Sequence, residues 1–171
     1  DVAFVVLLAG TGVPGADIVL LHQRLIAEAS GASASDIEKG QAFNKKAFDL
    51  IKKESNIERI RDRLQHGLST LLLESPEFSS LPESQQNAQV KQSLDGLLTP
   101  WFRYFLSYDP VVALRKVKCP VLALNGSLDL QVAPSQNLPP IAAALKKARN
   151  QDVTITELAG LNHLFQHAKT G

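Results

Sequence analysis

Hydrophobic positions change rhythm twice along the chain. "VAFVVLLAG" (2–10) is an unbroken apolar run rich in β-branched residues and closed by the turn "GTGVPG". Such a run suits a strand covered on both faces, as in a parallel sheet. The next ninety or so residues repeat with helical period. Ile18, Leu21, Leu25 and Ala29 mark one helix, which Gly31 stops. Ser35 and Glu38, in capping-box spacing, open a second helix with Ile37, Ala47, Phe48 and Ile51 as its inner face. Ile57, Ile60, Leu64, Leu68 and Leu71 form the cleanest amphipathic stripe, which Pro76 breaks. Val90, Leu94 and Leu97 mark a further helix. Thr99 before Pro100 and Asp109 before Pro110 predict two short helices, at 100–107 and 110–115.

The last third changes character again. "CPVLALNG" reads as a buried strand, "LPPIAAALKKARN" as a helix with proline in its first turn, and "DVTITELAG" as a strand. This is a βαβ unit, right-handed when its strands are parallel. The fold class expected is therefore α/β: strand, large helical block, strand, helix, strand.

Composition narrows the function classes. Eighteen basic against seventeen acidic residues leave a net charge of +1, with no basic stripe of the kind nucleic-acid binding needs. The longest apolar run falls short of the ~20 residues that span a bilayer. No secretory signal is visible. A soluble protein is expected. Cys119 is the only cysteine, which excludes an internal disulfide and a Cys-rich zinc site; its place in "VKCPVLAL" predicts a small buried hydrophobe. With Asp1 in place of a methionine and a strand opening at residue 2, the chain reads as part of something longer.

The chemistry concentrates at two strand ends. Asp129 lies in "ALNGSLDLQVAP", just past one strand, and His163 in "ELAGLNHLFQHAKTG", just past the next. Parallel neighbours bring those ends to one sheet edge, where open α/β sheets bind ligands. An Asp that accepts a hydrogen bond from a histidine ring fixes its tautomer and leaves the other nitrogen as a general base. The competing reading is a turn aspartate and a loop histidine that share an edge. His22 and His66 sit on amphipathic helices and read as surface residues. His163 and His167 share i, i+4 spacing, but without HExxH or an acidic third ligand no metal site is expected, and no cofactor either.

From about residue 99 onward, "PWFRYFLSYDPVVAL", "KCPVLALNGSLDLQV" and "GLNHLFQHAKTG" resemble the C-terminal part of an α/β-hydrolase. They are similar to bacterial esterase-like members near the dienelactone hydrolase and prolyl-oligopeptidase branches. The resemblance implies the last three parallel strands of a hydrolase sheet with an inserted helical cap. Residues 1–15 would be core strand and loop, 16–108 the cap, and 109–171 the core carrying the acid and histidine loops. It implies a serine hydrolase of carboxylic esters, with Asp129 as acid and His163 as base of a triad ordered Ser, Asp, His. Trp101, Phe102, Tyr104 and Phe105 are then candidates for lining a substrate pocket. The nucleophile's G-x-S-x-G is absent. "GASAS" (31–35) lacks the closing glycine and follows a helix, and Ser127 is on the wrong loop. The expected partners are a small-molecule ester and the missing N-terminal part of the hydrolase core. By itself the chain is expected to be inert. Two alternatives stay open: an Asp nucleophile, as in dehalogenases and epoxide hydrolases, or a degenerate hydrolase used as a binding module.

Overall fold

The computed structural model describes residues 2–171. In chain order its elements are β1 (Val5–Leu8), α1 (Gly15–Ala29), α2 (Ala34–Lys53), α3 (Ile57–Leu73), α4 (Pro76–Ser79), α5 (Glu83–Leu97), α6 (Pro100–Ser107), α7 (Val111–Leu114), β2 (Val121–Gly126), α8 (Pro134–Lys147) and β3 (Val153–Leu158). They divide into two compact units: the segments up to Gly31 and from Tyr108 onward form one, and Ala32–Ser107 the other. Helix α1, which the resemblance assigned to a cap at 16–108, falls with the sheet unit. Ala16 and Ile18 are buried there, and the Gly15 N–H donates to the Tyr108 carbonyl.

The sheet is mixed into an α/β unit and wholly parallel, in the order β1-β2-β3. Val5 pairs with Val121, and Val121 with Val153. The period-2 alternation of a strand then sends Val5, Leu7, Val121, Ala123, Val153 and Ile155 to one face. That face packs with Leu138, Ile141, Ala144 and Leu145 of α8 and with Leu114 of α7 into the core of the unit.

The opposite face corrects an expectation. β1 is not covered on both sides: Phe4, Val6 and Leu8 are 64%, 44% and 61% exposed, and β1 is an edge strand. An unbroken apolar run states that both faces prefer cover, but among the described residues nothing lies over this one.

Two boundaries also move. The α2 cap is Ser33, two residues before the one the spacing indicated; its Oγ accepts the Asp36 N–H at 3.1 Å and donates to the Asp36 carboxylate at 2.7 Å. Helix α8 begins at Pro134 and runs through Pro139 and Pro140. Each proline removes a ladder donor. The helix survives because Leu138, Ile141 and Leu145 are buried on the sheet. Cys119 is half-buried rather than in the core.

The helical unit is built on the predicted faces. Ala47, Phe48 and Ile51 of α2, Ile60, Leu64 and Leu68 of α3, and Val90 and Leu94 of α5 are buried. Thr99 Oγ1 caps α6 by accepting the Phe102 N–H. Across the unit, the Arg103 guanidinium donates to the Glu54 carbonyl at 2.8 Å.

Candidate functional site

All three strands are parallel, so their C-terminal ends share one edge, and the loops that leave it carry the polar residues. The loop after β2 turns tightly. Asp129 Oδ1 accepts the backbone N–H groups of Gln131 and Val132, each at 2.8 Å. This is the Asx-type turn that Asp favours, and it drives the side chain inward: Asp129 is 2% exposed. Burying a carboxylate is costly unless donors surround it. Oδ2 meets that need by facing His163 Nδ1 at 2.9 Å and accepting the Asn125 side-chain amide at 3.3 Å.

The loop after β3 presents the histidine. Gly160 turns the chain with φ +73°. Asn162 Oδ1 accepts the N–H groups of Leu164 and Gln166, at 3.0 and 3.1 Å, and the Asn162 N–H donates to the Gln166 carbonyl. Asn162 is thus a loop-shaping residue, and His163 is held at the bend. A carboxylate against Nδ1 favours, in the neutral ring, the tautomer with its hydrogen on that nitrogen and a lone pair on Nε2. The ring is 27% exposed while the Asp129 side chain is enclosed. This arrangement can hold an imidazole in one tautomer, accept a proton at Nε2 and stabilise the cation formed.

Both loops are locked together by features that sequence reading passed over. Ser127, considered only as a misplaced nucleophile, accepts the Gly160 N–H through its Oγ at 2.9 Å. The Leu128 N–H donates to the Leu161 carbonyl at 2.9 Å. Gly126 is where the histidine loop crosses the end of β2: a Cβ there would lie 2.2 Å from the Leu161 carbonyl oxygen and 2.6 Å from that of Asn162. The glycine was legible as the end of the strand, but its role is close approach of backbone. Asn125, inside a strand read as uniformly buried and apolar, was the one polar residue that could have signalled a second contact to Asp129.

The loop 10–15 leaves β1 at this same edge. The Gly12 N–H donates to Oδ1 of buried Asn137 at 2.8 Å, tying the loop to the first turns of α8. The other residues singled out in the sequence lie elsewhere. Trp101, Phe102, Tyr104 and Phe105 are on α6 in the helical unit, where Trp101 stacks on Phe105 at 5.2 Å and Phe102 meets Phe48 edge-on. Trp101 and Tyr104 are two-thirds exposed. A cavity of about 450 Å³ between α2 and α3, floored by Phe43, Leu64 and Leu71, is lined by other residues. A second, of about 440 Å³, lies beside Leu145, Val153 and Ile155. His167 bridges backbone with Leu161, and among the described residues no three potential metal ligands cluster. No described helix is long and apolar enough to cross a membrane.

No protein-family model, no curated protein and no solved structure matches the chain.

Proposed function

We propose that this chain carries the acid and base of a serine hydrolase acting on carboxylic esters, with Asp129 as the acid and His163 as the base. The observation that carries the reading is the 2.9 Å contact between His163 Nδ1 and Asp129 Oδ2, made by loops from the C-terminal ends of adjacent parallel strands. In this reading the sheet unit is part of an α/β-hydrolase core and the helical unit corresponds to its inserted cap. His163 Nε2 takes the proton of a serine hydroxyl as its oxygen bonds to the ester carbonyl carbon. The alcohol then leaves with that proton, and an acyl-enzyme remains. Water, deprotonated by the same nitrogen, releases the acid and restores the serine. Asp129 holds the ring and stabilises the imidazolium in both halves.

The 171 residues contain no G-x-S-x-G, so this reading requires the nucleophile and oxyanion donors to come from elsewhere. The uncovered sheet face and the unpaired edge of β1 support this, because parallel sheets are stable when both faces are covered. The missing elbow also favours a second reading, in which the chain binds rather than catalyses.

Intact-mass spectrometry after a fluorophosphonate probe tests the proposal. The polypeptide that carries this sequence together with a nucleophile is expected to gain one adduct, and His163→Ala is expected to abolish it. The 18.6 kDa chain alone is expected to gain none. A folded, complete polypeptide that takes no adduct would overturn the serine mechanism. Turnover of a haloalkane or epoxide by that same polypeptide would place an aspartate at the elbow instead.

A further inference from the structure

Asn125 is fully buried at the end of β2, one residue before the glycine over which the histidine loop passes. Its amide nitrogen has two hydrogens, and both are used: one goes to the Val132 carbonyl at 2.7 Å and one to Asp129 Oδ2 at 3.3 Å. Its oxygen has no partner among the described residues. Two acceptors on one side and none on the other fix which way the amide points, since turning it over would set oxygen against two oxygens.

A buried amide with half of its hydrogen-bonding capacity unmet is a poor choice for packing alone. Its position suggests another role. Asp129 Oδ1 is held by two backbone N–H groups, which pin that oxygen but leave the carboxylate able to pivot about it. Asn125 holds the other oxygen, the one that faces His163. It does so with a neutral donor, so the carboxylate's charge is not cancelled by a cation, as an Arg or Lys in this place would do. The same amide ties the carboxylate to the Val132 carbonyl, and so to the far side of the acid loop.

We infer that Asn125 is a positioning residue that acts through Asp129, holding Oδ2 against His163 Nδ1 and thereby setting the ring's tautomer. The inference deepens the Asp–His assignment above and rests on it, although it requires no nucleophile.

The test is nitrogen NMR of the His163 ring in the 171-residue chain, assigned with His163→Gln and compared across Asp129→Asn, Asn125→Leu and Asn125→Ser. In the parent chain, Nε2 is expected to show the shift of an unprotonated nitrogen and Nδ1 that of a protonated one. Asn125→Leu keeps the branched shape, removes the unmet oxygen and deletes both donors. It is expected to move the two shifts toward each other as the tautomers mix. Asn125→Ser, smaller and unable to reach Asp129, gives the same reading should the leucine variant not fold. Unchanged ring shifts in a folded variant, even one of lower melting temperature, would show that Asn125 only packs, and would overturn the inference. A parent chain whose ring already matches that of Asp129→Asn would instead overturn the Asp129–His163 pairing itself.

Discussion

His163 Nδ1 lies 2.9 Å from Asp129 Oδ2, although 34 residues separate the two in sequence. The chain between them is a helix and a strand returning to the same edge of a parallel sheet. Asp129→Asn keeps an oxygen for the turn N–H groups but offers an amide to the imidazole, which then holds its hydrogen on the wrong nitrogen. Under the proposed serine mechanism, in a polypeptide that also supplies the nucleophile, this is expected to lower kcat on the order of 10⁴-fold with little change in KM. The measurement is steady-state hydrolysis of an activated ester, and a loss under tenfold would remove Asp129 from the mechanism.

Gly126 tests how the two loops meet. A methyl group at this position would enter the space of the Leu161 and Asn162 carbonyls, which are backbone and cannot rotate away. Gly126→Ala is expected to destabilise the sheet unit by about 1–3 kcal/mol, the usual range for overpacking. It is also expected to separate His163 from Asp129. Urea denaturation gives the first effect and the ring-nitrogen shifts of His163 the second. A variant as stable as the parent would mean that the loops approach less closely.

The uncovered face of β1 predicts behaviour in solution. Phe4 and Leu8 are 64% and 61% exposed on an unpaired edge, an arrangement that invites association. Phe4→Lys combined with Leu8→Lys is expected to reduce light scattering by the isolated chain. Stability should change by only about 0.5 kcal/mol per site, as for other surface positions. Unaltered scattering would place the sticky surface elsewhere.

The helical unit carries an acid-sensitive tie. Hydrogen bonds from Lys91, at 2.8 Å, and Arg61, at 2.7 Å, hold the Asp95 carboxyl below its ordinary range. A carboxyl with a lowered folded-state pKa stabilises the fold above its unfolded value, and that contribution is lost as the pH falls through the folded value. Asp95 is half exposed, so the effect is small and screened by salt. Melting temperature against pH, from neutral into the carboxylate range, is expected to fall less steeply for Asp95→Asn than for the parent. Parallel curves would show that Asp95 contributes nothing to the acid response.

By itself the sequence determined what is local or periodic. The apolar stripes of α2, α3 and α5, the Thr99 cap and the three strands follow from spacing and side-chain chemistry, and those are properties of neighbouring residues. The meeting of Asp129 with His163 was also legible, because parallel strands must end at one edge. Tertiary structure alone decided the rest. Pro139 and Pro140 signalled a helix start, yet burial of Leu138, Ile141 and Leu145 on the sheet carries α8 back to Pro134. The run at 2–10 called for cover on two faces and has it on one, since a strand's composition states a preference and cannot supply the layer that meets it. Asn125 and Gly126 were only the last two residues of a strand until the histidine loop was laid over them. Their roles depend on which backbone passes within a few ångströms, and that is set by how the loops cross.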